Sequence, residues 1–368
     1  MRSFTVFTLW SNILLKARSL TLLLALIALA LLTLNPLLAQ ETTEPDLAGI
    51  KTYLLDNATE LQAASADLAA AADEYYALAQ EQDFDYADIA ADHSEAAIEI
   101  VNKAQTAWMA ASPLYEQIEG VVAGVPVLSE YDVILDAGVS AEEDPEGAVP
   151  FDLTLPDGRV LEQPGNVFGL LEATLWGTRP EFSSEAWVDL NASGEQNFGE
   201  NLPEANMLQG TAALLAEYTT ELLEASEAWE PTTTDAFTAL VIMIPTMSEY
   251  FGSWKESRFI AGDEATRTDF AVISRLSDIK DILSGLEVVR ASVSPLIQTA
   301  STDQDAEIAT GLADLQTYVL DLYEQEVDGR VFTAEEADFY GTEAQNRATT
   351  ITGQIAQVAA LLDIELPE

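Results

Sequence analysis

Two pairs of acidic residues in this chain have the spacing of a binding site. Glu116 and Glu119 are three residues apart, and Asp132 and Asp136 are four apart. Either separation puts both carboxylates on one helical face, where they reach a single ion or a single basic partner. Glu172 follows Phe168-Gly169-Leu170-Leu171, an apolar setting in which an acid needs a partner. Asp278 and Asp281, in Ser277-Asp278-Ile279-Lys280-Asp281-Ile282, add carboxylates from the second half. Together these seven acids form a candidate all-oxygen metal site, with Tyr115 and Tyr131 as further oxygen donors. Such a set suits hard cations: calcium, magnesium, manganese or ferric iron. The plainer role for each acid is to cap a helix or pair with Arg179, Lys255, Arg258, Arg275 or Lys280.

Other chemistries find little in the chain. It has one histidine, His93, and no cysteine, whereas serine, cysteine and zinc hydrolases need a histidine base, a cysteine nucleophile or an H-E-x-x-H pair. A glycosidase needs only two carboxylates, but nothing singles out such a pair. Phosphate-binding glycine loops are absent, and Asp83-Phe84-Asp85 and Asp303-Gln304-Asp305 lack the residues that complete an EF-hand loop. His93 reads as a surface residue and Trp176 as a packing residue. The segment from Met247 to Phe259 concentrates aromatic and basic residues; it reads as a helix end docking between domains, with a pocket for an acidic ligand as the alternative.

The elements that must position these groups are helical. Leu61, Ala64, Leu68, Ala71, Tyr75 and Leu78 recur at steps of three and four, as do Val272, Leu276, Ile279, Leu283, Leu286 and Val289. The same seam returns in Leu312, Leu315, Val319 and Leu322, and in Ile351, Ile355, Val358 and Leu362. Periodicity and punctuation predict helices over 46–81, 86–122, 165–176, 204–228, 233–257, 267–299, 304–325 and 333–364. Phe151–Leu155 and Arg159–Leu161, joined by Pro156-Asp157-Gly158, allow one small hairpin within 138–164. The fold class is all-α, as two helical-bundle domains over 40–203 and 204–368 with a boundary near Pro203.

Arg2, Lys16 and Arg18 precede an apolar run from Leu20 to Leu34, with Leu37-Leu38-Ala39 after it. That is the form of a Sec-type signal peptide over 1–39, with an uncleaved anchor as the alternative. The expected location is therefore periplasmic or secreted. Without cysteine the chain is not a lipoprotein and holds no disulfide. With 63 acidic against 15 basic residues, its formal charge is −48. A surface of that sign repels nucleic acid and collects cations by long-range attraction, or serves only to keep the protein soluble. Disorder does not fit a composition that is 48% hydrophobic.

Four segments in order carry a resemblance to a known family. Tyr115-Glu116-Gln117-Ile118-Glu119-Gly120, Tyr131 to Ala137 and Phe168 to Trp176 resemble the Y-E-x-I-E-P, L-D-x-x-I-D-A and F-H-R-I-E-K-A-L-W segments of imelysin-like proteins. Ser277 to Ile282, with Leu286-Glu287, is similar to the family's T-D-L-W-D-F and V-E-G segments. Within the family the periplasmic EfeO/EfeM iron-uptake components are the nearest in kind. One position departs: Gly169 stands where the family carries the histidine of its H-x-x-E metal motif, while Glu172 keeps the glutamate. The resemblance implies a pair of four-helix bundles and a non-enzymatic component that presents iron or another hard cation to a membrane permease. The family's peptidase label is not carried over. The second reading is an envelope binding or scaffold module that has lost the metal site and binds an anionic polysaccharide or a protein partner.

Overall fold

Ile50, Leu54, Ala58, Leu61, Ser65, Leu68, Ala72 and Tyr75 bury one continuous stripe of the first long helix, α1 (Ala48–Glu81). This is the period-3.6 seam that turns an amphipathic helix towards a core. The computed structural model describes residues 45–367, so the signal expected over 1–39 lies outside the described residues. After a break at His93 come α2 (Tyr86–Asp92) and α3 (Ser94–Val122); a four-residue helix, α4 (Ser129–Asp132), then runs into a π-turn, Val133–Ala137. The chain continues through α5 (Val167–Trp176), α6 (Ala205–Ala228), α7 (Thr233–Met243), α8 (Met247–Glu256) and α9 (Arg258–Ala261). Three long helices complete it: α10 (Arg275–Ala300), α11 (Thr302–Val327) and α12 (Ala334–Leu361). The expected hairpin is present as β1 (Leu153–Thr154) against β2 (Val160–Leu161). A second antiparallel pair, β3 (Ser183–Trp187) with β4 (Asn201–Pro203), was not foreseen. The class is all-α, and no helix among the described residues is long and apolar enough to cross a membrane.

The described chain is one compact unit, and its contacts do not divide at Pro203. The helix that follows Pro203, α6, packs on α1, which in turn packs on α3. The corresponding turn in the path lies later, at Trp229-Glu230-Pro231, before the capping box of Thr232 and Asp235 opens α7. The second group of helices, α7, α8, α11 and α12, gathers about α10.

α10 also lies on α3, and two glycines set how closely. A Cβ on Gly285 would stand 2.2 Å from the Gln117 carbonyl oxygen, and one on Gly120 would stand 2.8 Å from Leu286 Cδ2. No side chain fits at the first position without separating the helices. This contact brings Glu116 and Glu119 of α3 beside the first turn of α10. That turn begins eight residues later than the sequence suggests. Residues 267–274 form a loop because Ala271 and Val272 donate their amides to Glu172, Phe270 has a left-handed φ of 53°, and Ser274 caps the helix at Leu276.

Candidate functional site

Six carboxylates converge where α3, the π-turn, α5 and α10 meet. Glu116 and Glu119 come from α3, Asp132 and Asp136 from the two ends of the α4–π segment, Glu172 from α5 and Asp278 from α10. Glu116, Glu119 and Asp278 are each 3% exposed and Glu172 2%, values rare for acids without partners. Glu116, Glu119 and Asp136 each offer an oxygen within 4.8 Å of the others, a separation that one ion can bridge. A π-turn inside a helix commonly marks a functional position, and here it carries Asp136 into the cluster. Asn166 joins two of the supporting elements: its side chain caps α5 by accepting from Gly169 N at 2.7 Å and donates to Gly138 O at 2.9 Å.

A single guanidinium opposes these charges. Arg275 Nη1 lies 3.3 Å from Asp278, 3.5 Å from Glu116 and 3.8 Å from Asp136. Tyr250 and Phe270 hold the guanidinium between them, each ring centre 4.4 Å away, a stacked arrangement that suits arginine. Tyr115 donates to Asp132 at 2.7 Å and Tyr250 to Glu119 at 2.8 Å. Burial, then the neighbouring acids, raise both phenols well above their ordinary range, so they act as neutral donors. Two buried atoms remain without partners: Glu119 Oε2 and Arg275 Nε.

One guanidinium does not neutralise six carboxylates. Two like charges 4 Å apart repel by roughly 4 kcal/mol near a protein surface, so the cluster needs protons or a further cation. Burial is the chief cause of every shift here. It lifts Glu172 to about 8, with Asp269 adding to the rise and the amides of Ala271 and Val272 opposing it. Asp136 and Asp278 rise to about 7, burial outweighing the pull of Arg275. Glu116 and Asp132 are raised well above the carboxylate range, by burial and then by neighbouring acids. Burial disfavours the charge of Arg275, but Glu116, Glu119, Asp136 and Asp278 outweigh it and raise the guanidinium further.

Two cavities adjoin the cluster. The inner one, about 20 Å³, is lined by Glu116, Asp136, Gly169, Glu172 and Asp278 among others, and it has room for one water or one ion. The outer one, about 340 Å³, is lined by Glu119, Asp132, Asp136, Tyr250 and Arg275, together with Arg179 and Arg267. Gly169 lines both. A Cβ there would meet only the Asn166 side chain, at 3.0 Å from Oδ1, so the glycine leaves open the place from which a larger side chain would enter.

Of the residues read from sequence, Glu116, Glu119, Asp132, Asp136, Glu172 and Asp278 come together and Asp281 does not. Asp281 bonds Lys280 at 2.7 Å and stands near Tyr53; one residue off the face of Asp278, it points elsewhere. Tyr131 stands near Glu221 and Glu130 instead of the cavity. His93 is the cap between α2 and α3, and Trp176 packs on Trp108 at 5.1 Å. Arg275 appeared in the sequence only as a structural partner for an acid, a role it performs at the centre of the site. Tyr250 and Asp269 were missed. The aromatic and basic run from Met247 to Phe259 was the signal for Tyr250; it packs α8 on α10 and α12 and also delivers this hydroxyl. The family model Imelysin (Peptidase_M75) matches residues 51–358. No curated protein matches the chain.

Proposed function

The chain belongs to the imelysin family, and from that premise we propose that it is a non-enzymatic cation-binding protein of the cell envelope, of the iron-uptake type. Its cargo is iron or another hard cation, which it presents to a membrane permease. The observation that carries this reading is the trio of Glu116, Glu119 and Asp136 oxygens within 4.8 Å of one another, with Glu119 Oε2 buried beside them and unpartnered. An incoming cation would exchange for the protons that burial holds on the cluster. Its ligands would be oxygens alone, which favours hard ions. The signal-like N-terminal sequence supports a periplasmic or secreted location. Although the family name contains a peptidase label, the lone histidine caps a helix outside the cavities, and the chain has no cysteine.

One observation favours a second reading. Arg275 already sits against three of the carboxylates, and Gly169 withholds the imidazole. A site neutralised in this way suits a binding or scaffold module that engages an envelope protein or an anionic polysaccharide; the chain's charge of −48 favours the protein. Calorimetric titration with manganese, calcium and anaerobic ferrous ions at moderate salt separates the two. A saturable site that resists salt and disappears in Glu119→Gln is the expected result. Weak binding of many ions, screened by salt and equal in both proteins, would leave the scaffold reading.

A further inference from the structure

The outer cavity is far larger than one ion needs. At about 340 Å³ it falls in the range of pockets that hold small organic molecules. Its walls also differ in charge. Glu119, Asp132 and Asp136 line it beside the cluster, yet Arg179, Arg267 and Arg275 line it too, three of only 15 basic residues in a chain with 63 acidic ones. Two of these arginines keep donors unspent. Arg267 is 3.7 Å from Asp269 and 3.9 Å from Glu143, beyond hydrogen-bond reach. Its one hydrogen bond among the described residues goes to Ser253 Oγ at 3.2 Å. Arg275, 5% exposed, makes its polar contacts through Nη1 and leaves Nε buried without an acceptor. A buried guanidinium donor without an acceptor costs free energy and calls for an anion.

Building on the cation-binding reading above, we propose that the outer cavity takes the cation as a chelate with a small oxyanion. The carboxylates hold the ion, while Arg267 and Arg275 hold the oxygens of the oxyanion. The ligand class is a compact di- or tricarboxylate or a phosphate, since planar guanidinium forks match either. This answers two needs of the site: the oxyanion supplies ligands where Gly169 supplies none, and it offsets the charge that a trivalent ion would add.

The test is equilibrium dialysis of radiolabelled citrate and, separately, labelled phosphate against the full-length protein, with and without manganese. Retention of label that requires the cation, and a cation affinity about tenfold tighter with the oxyanion present, is the expected outcome, since coupling between two ligands is reciprocal. Citrate retained in preference to phosphate, or the reverse, identifies the source. The ratio of cation affinities with and without oxyanion should fall towards one in Arg267→Ala and fall less in Arg267→Lys, which keeps the charge. Cation binding with no retained label and no change in affinity would overturn the chelate while leaving the cation site standing. Absence of cation binding under every condition would overturn both.

Discussion

At the scale of single residues, the site is a balance between one buried guanidinium and a surplus of buried carboxylates. Arg275→Leu should destabilise the cation-free protein by roughly 3–5 kcal/mol at neutral pH, because it leaves buried charges without their partner. The loss should shrink in acid, where the carboxylates take up protons; urea denaturation at two pH values measures it. Glu119→Gln should act in the opposite direction, stabilising the cation-free protein by about 1–3 kcal/mol through removal of an unpartnered buried charge, while abolishing the rise in melting temperature that manganese produces. Gly169→His should shift ion preference towards zinc, which imidazole favours, with some loss of stability where the new Cβ presses on the Asn166 cap. The acids were legible from spacing because i, i+3 and i, i+4 pairs share a helical face whatever the tertiary context. Arg275 was not, since its place depends on α10 meeting α3, a contact that no local pattern encodes.

At the scale of elements, position is set by close approach and by caps. Gly285→Ala forces a Cβ against the Gln117 carbonyl oxygen at 2.2 Å. It should cost at least about 1–3 kcal/mol as overpacking, and it should weaken cation binding as well, because Glu116 and Asp278 sit on the two helices being pushed apart. Asn166→Ala removes both the cap of α5 and the tie to Gly138, a loss of roughly 0.5–2 kcal/mol for the cap alone. Thermal melting and titration of each variant check the pairing of lost stability with lost affinity. The long helices were readable because their apolar stripes are continuous, as in α1 and α12. The loop 267–274 was read as helix since Val272 falls in phase with Leu276 and Ile279. Phase alone does not reveal that Glu172, about a hundred residues earlier, claims the amides that a helix would use.

At the scale of the whole molecule, charge makes stability a function of pH. Asp136 and Asp278 rise from 3.8 to about 7 and Glu172 from 4.5 to about 8, so between those values the folded state holds more protons than the unfolded one. Stability of the cation-free protein is therefore greatest in acid and falls as pH rises through 7 and 8; melting temperatures across that interval should decline. A saturating cation should flatten the decline and release protons as it binds. The all-α class and its bundles were legible from periodicity, whereas the partition at Pro203 was not, because α6 turns back onto α1 after a proline that looks like punctuation. The placement of α10 across both groups of helices also bears on fragments of the chain. A piece ending at Ala228 would hold every acid of the cluster except Asp278, yet would lack Arg275 and the hydroxyl of Tyr250, and the remaining piece would carry a cation with nothing to oppose it. Neither half is a self-sufficient unit of inheritance, so the two must have diverged together.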